Sequence, residues 1–94
     1  MSTAPEYTGW IVRAAAGRDK GGFLCVVGSD REGRLLLADG KGRKILRPKA
    51  KKPSHVELMP EFDHPAIQKL KQGETLPDRE LRRALAAFRD QLEV

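Results

Sequence analysis

Cysteine is almost absent from these 94 residues: Cys25 stands alone, which excludes an internal disulfide and suits a reducing compartment. Aromatics are scarce too, at 5% of the chain, so an aromatic cage or groove has only Tyr7, Trp10, Phe23, Phe62 and Phe88 to draw on. Long apolar runs are missing, and nothing approaches the roughly 20 residues that cross a bilayer. The opening Met1-Ser2-Thr3-Ala4-Pro5-Glu6 has neither the basic start nor the apolar stretch of a signal peptide. A cytoplasmic location is the expectation. His55 and His64, nine residues apart with Cys25 distant, make no metal-ligand spacing. Cys25 sits in an apolar run with no neighbouring base to activate it, and the glycines between 17 and 22 lack the Walker pattern. These absences point to a non-enzymatic protein without cofactor, metal, small-molecule substrate or membrane partner. No repeat or low-complexity segment appears.

What the chain does have is charge, unevenly placed. Residues 1–55 carry twelve Lys/Arg against five acids, whereas residues 56–94 carry six against eight. A basic half joined to a slightly acidic half suggests an anionic partner for the first. With 39% hydrophobic and 33% charged residues the composition is that of a globular domain. A chain of this size buries about 60–65% of its unfolded surface, enough for a small barrel and a packed helix but not for a deep cleft.

The first half reads as short strands punctuated by glycine, after a flexible N-terminus over residues 1–6. Residues 9–14, 23–27 and 34–38 are rich in side chains that suit a pleated, half-buried surface, and turns fall at 17–21 and 30–33. Asp39-Gly40 is a hairpin signal, so residues 43–47 are expected to return as a fourth strand. Pro48 and Pro53 bracket residues 49–52 and hold them extended. Residues 54–58 alternate polar and apolar and close the sheet as a fifth strand. Strands at this spacing indicate a sandwich or barrel, and about 50 residues most economically remove their edges by closing into a small barrel.

The pattern changes after Pro60. Asp63 is placed to cap a helix over residues 64–72, with Pro65 in its first turn and Gly73 ending it. A second helix begins near Thr75-Leu76-Pro77-Asp78, a capping arrangement. Its Leu81, Ala84, Leu85, Phe88 and Leu92 form one apolar stripe, with Arg79, Arg82, Arg83 and Arg89 largely off it. The stripe either packs on the barrel or the short helix, or docks a protein partner. The fold class is thus mainly β with C-terminal α: a barrel over residues 7–59 and a helical extension over 60–94.

Arg43, Lys44, Arg47, Lys49, Lys51 and Lys52 place six cations within ten residues. Their mutual repulsion is unfavourable unless solvent or a polyanion screens it. The block is either an anion-binding face or a solvated linker. Trp10 and Tyr7 are candidates for stacking on bases, although a tryptophan in a first strand is more often core.

Residues 9–27, centred on Gly17-Arg18-Asp19-Lys20-Gly21, resemble the KOW motif, in which alternating apolar and polar residues surround a glycine-centred loop. Glycine allows the sharp reversal, Asp19 can accept loop amides, and Arg18 and Lys20 are left at the tip. Ala38-Asp39-Gly40-Lys41-Gly42-Arg43-Lys44, followed by Arg47-Pro48-Lys49-Ala50-Lys51-Lys52 and His55, extends the likeness. Together these resemble the bacterial KOW-domain RNA-binding proteins, which are similar to SH3-like large-subunit ribosomal proteins of archaea and eukaryotes. The likeness covers residues 8–58, and Pro53-Ser54-His55 departs from it where a further lysine would precede the histidine. It implies a small SH3-like (KOW) β-barrel followed by two short helices, binding RNA, either ribosomal RNA or the ribosome. Arg13, Arg18, Lys20, Arg43, Lys44, Arg47, Lys49, Lys51 and Lys52 would contact phosphates, with Gly17, Asp19 and Gly21 shaping the loop. The rival expectation is an SH3-like protein-interaction module that uses the C-terminal helix for docking.

Overall fold

The computed structural model describes residues 7–15 and 22–92. The expected flexible N-terminus and the loop Gly17, Arg18, Asp19, Lys20 and Gly21 lie outside the described residues. Five strands are present: β1 (Ile11–Ala14), β2 (Phe23–Ser29), β3 (Leu35–Ala38), β4 (Lys49–Lys51) and β5 (Val56–Leu58). Two helices follow, α1 (Pro65–Lys71) and α2 (Asp78–Leu92). The protein is mainly β with C-terminal α.

All strands pair antiparallel in the order β4-β3-β2-β1-β5. Four strands form a meander, a single 3-10 turn (Pro53–His55) follows β4, and β5 returns beside β1. Among the described residues the hydrogen bonding does not continue from β4 to β5, so the ladder stays open where closure was expected. The register of β2 against β3 slips between Val26 and Gly28, a bulge that increases twist in the middle of the sheet.

Alternation along the strands gives the sheet two apolar faces. Val12, Ala14, Leu24, Val26, Leu35 and Leu37 make one core, with Tyr7, Trp10 and Val56 packed at its margin. Ile11, Cys25 and Ala38 point the other way, into a second core completed by Ala66, Ile67, Leu70, Leu76, Leu81, Ala84, Leu85 and Phe88. Phe88 stands edge-on to both Phe23, at 5.4 Å, and Phe62, at 5.3 Å. The helices therefore cover the outer face of the sheet, and the buried stripe packs within the chain. Leu92, expected on that stripe, is 43% exposed because it lies in the final turn, beyond the reach of the sheet.

Three local expectations are corrected. Residues 43–47 are not a strand but part of a compact loop, and the fourth strand is Lys49–Lys51, paired with Leu35, Leu36 and Leu37. The cap of α1 is His64, whose Nδ1 accepts from the Ala66 amide at 3.1 Å; the Asp63 carboxylate instead receives the Gln68 side-chain amide at 3.0 Å. The fifth strand is shorter than expected, because Pro53–His55 turn before it begins. Gly73 does end α1, at a φ of 79° that favours glycine.

Candidate nucleic-acid interface

The basic residues singled out from the sequence fall into separate environments. Arg13 is exposed on the outer face of β1 and lies opposite Glu57 of β5 in the register, so an acid is its direct cross-strand neighbour. Lys49 and Lys51 are half-buried, facing Leu37 and Leu35 across the β3–β4 ladder, and both carry further interactions. Their aliphatic stems cover the rim of the inner core, as long basic side chains commonly do at an apolar edge. Arg43, Lys44 and Arg47 belong to the loop between β3 and β4, and Lys52 is exposed just after β4. Arg18 and Lys20 are outside the described residues.

The β3–β4 loop is built by its acids. Asp39 Oδ1 accepts the amides of Lys41 at 2.8 Å and Arg43 at 2.9 Å, a pattern in which a short acidic side chain replaces a backbone partner. The Arg43 carbonyl in turn accepts the amides of Asp39 and Gly40, both at 2.9 Å. From α2, Asp78 Oδ1 accepts the Ile45 amide at 2.8 Å, and Arg82 donates to the Gly40 carbonyl at 2.6 Å. Ile45 packs against the outer core, while Leu46 is left 90% exposed.

The electrostatic consequence follows from those bonds. Both carboxylates nearest the loop point inward at amides, whereas Lys41, Lys44 and Arg47 are exposed. Lys44, Arg47 and Lys52 make no ion pair among the described residues. Three cations elsewhere are matched: Arg34 with Asp30 at 2.7 Å and Glu32 at 2.6 Å, Lys69 with Glu80 at 3.1 Å, Lys71 with Glu61 at 3.5 Å. Partial desolvation works to raise the Asp30 pKa, but the amides of Arg34 and Glu32 and the Arg34 guanidinium outweigh it, and the net shift is downward. The Arg34 guanidinium is correspondingly held above its ordinary range, chiefly by its hydrogen bond to Asp30.

Helix α2 adds basic residues that the half-by-half charge count conceals. Arg79, Arg82, Arg83 and Arg89 are exposed on its outer side, and the Asp78 and Arg82 bonds bring its first turns against the β3–β4 loop. The visible signal was their common displacement from the apolar stripe. The acids sharing that helix mask it in a net count, because Asp78 and Glu80 are engaged with the loop amide and Lys69.

Other chemistry finds little support among the described residues. No three His, Cys, Asp or Glu gather in a way that could hold a metal. Burial pushes the Cys25 thiol up to about 12, which makes it a poor nucleophile. No described helix is long and apolar enough to cross a membrane. No known family model matches the chain, and no curated protein matches its sequence.

Proposed function

We propose that this chain is a non-enzymatic RNA-binding protein of the KOW type, acting in the cytoplasm on ribosomal RNA or the ribosome. The observation that carries the reading is the polarity of the β3–β4 loop. Asp39 and Asp78 are turned to backbone amides while Lys41, Lys44 and Arg47 face solvent beside the arginines of α2. Such a surface offers unmatched positive charge on a preorganised frame, which is what a phosphate backbone requires. The strand order, with β5 returning beside β1 after a 3-10 turn, supports an SH3-like barrel. Arg18 and Lys20 lie outside the described residues and join the proposal only through the sequence resemblance.

The interaction-module reading has less to recommend it. Leu81, Ala84, Leu85 and Phe88 of the α2 stripe are buried in the outer core, which leaves only Leu92 of that stripe exposed for docking. Phe23, Phe62 and Phe88 pack together in the outer core, and Tyr7 and Trp10 line the inner one. No exposed aromatic groove results among the described residues.

The test is a salt titration of binding to a ribosomal RNA fragment. If about five cations neutralise phosphates, log K should fall against log salt with a slope of roughly −3.5 to −4.5. Absence of binding at about 50 mM salt, or a slope near zero, would overturn the proposal.

A further inference from the structure

Between the β3–β4 loop and α2 lies an open cleft of about 330 Å³. Its floor is apolar, made by Phe23 of β2 with Leu85 and Ala86 of α2. Its rim is cationic, with Lys41 on the loop side and Arg82 and Arg89 on the helix side. The one acid lining it among the described residues, Asp39, already accepts two loop amides through Oδ1. The cleft reaches the lower end of the size range of small-molecule sites.

Two chemistries meet there, and one kind of occupant satisfies both. The floor favours a flat, weakly polar group, and the rim favours adjacent negative charge. An unpaired nucleotide carries a base with apolar faces directly linked to phosphates, and RNA is most often read where bases are splayed out of the helix. We propose that this cleft receives one unpaired nucleotide of a bound RNA, its base on the Phe23–Leu85–Ala86 floor and its flanking phosphates at Lys41, Arg82 and Arg89.

The walls are preorganised for this. The Arg82 bond to the Gly40 carbonyl ties one wall to the other, and the Asp78 bond to the Ile45 amide anchors the loop a second time. Binding then avoids much of the entropy of ordering a loop. The inference rests on the RNA-binding reading and supplies something that reading lacks, a preference among RNAs of equal charge.

The experiment compares two hairpins of equal nucleotide number, one fully paired and one with a single bulged 2-aminopurine. The wild-type protein should bind the bulged hairpin roughly tenfold more tightly and change its fluorescence. Ala86 is exposed on α2, so Ala86→Trp fills the floor without entering the core, and Ala86→Glu places a carboxylate there. Both variants should lose the preference and still bind the paired hairpin. Equal wild-type affinity for the two hairpins overturns the cleft but leaves RNA binding standing, as does a preference that survives both substitutions. Binding to neither hairpin at low salt overturns both proposals. A poly-glutamate peptide that binds the wild type, but neither variant, would assign the cleft to an acidic protein segment instead.

Discussion

Arg82 reaches from α2 to donate a 2.6 Å hydrogen bond to the carbonyl of Gly40, forty-two residues earlier in the chain. The contact requires the backbone of the loop to lie directly on the helix. A Cβ on Gly40 would collide with the Asp78 carbonyl, and its φ of 79° is itself unfavourable for other residues. Gly40→Ala should therefore lose more than about 1 kcal/mol of stability. Gly42, with open space around it and no positive φ, is the control: Gly42→Ala should be neutral or gain up to about 1 kcal/mol. Paired denaturant titrations decide the matter, and equal losses at the two positions would count against this account.

The outer core depends on one ring. Phe88 is 1% exposed and lies edge-on to Phe23 and Phe62. Phe88→Ala should cost about 3–5 kcal/mol, the usual range for emptying an aromatic site in a core. A thermal melt with an unchanged midpoint would refute the packing of α2 on the sheet.

The basic residues of the β3–β4 region should separate into two groups. Lys44, Arg47 and Lys52 are exposed, so replacing all three by Ala should shift stability by no more than about 0.5 kcal/mol per site. The same change should flatten the salt slope of RNA binding by about two to three units. Lys49→Ala and Lys51→Ala should instead lower the melting midpoint, because their stems cover the rim beside Leu37 and Leu35. A flat slope change in the first set, with the protein folded, would remove that set from the interface.

Asp30 gives the turn between β2 and β3 a pH dependence. Its folded pKa lies below the ordinary 3.8, so its contribution is present above that value and fades as pH falls through the folded pKa. Asp30→Asn should therefore be less stable than the parent near neutrality, with the gap closing in acid. Denaturant midpoints at about pH 7 and pH 3 measure this, and a constant gap would show that the charge is irrelevant.

Cys25 should stay silent. With its pKa pushed up to about 12 by burial, it has almost no thiolate at about pH 8. A thiol reagent should modify it only at the rate of unfolding, and rapid labelling of the native protein would contradict its place in the core.

Strands β1 to β3 and both helices are legible in the sequence because apolar periodicity and glycine punctuation agree there. The fourth strand is not. Residues 43–47 contain Ile45 and Leu46 and look strand-like, yet Asp39 folds the chain back onto its own amides and Asp78 takes the Ile45 amide. Lys49-Ala50-Lys51 has weak strand preference and acquires its conformation from pairing with β3, a tertiary effect. Asp78 misleads for the same reason: locally it resembles a cap, but Oδ1 bonds to a residue thirty-three positions away. The arginines of α2 were visible singly, but only the loop packed beside them makes them part of a common surface.

The two-faced sheet has an evolutionary corollary. Ile11, Cys25 and Ala38 serve the helices, while Val12, Leu24, Val26, Leu35 and Leu37 serve the interior, so neighbouring residues on one strand answer to different constraints. Exchange of residues 60–92 for another helical pair would demand matching changes at Ile11, Phe23, Cys25, Val27 and Ala38 and leave the intervening positions free of that demand. Grafted alone, the strands would carry a bare apolar outer face, an adhesive surface inviting self-association. The helices are thus a covalent lid on a surface that would otherwise have to find its own cover.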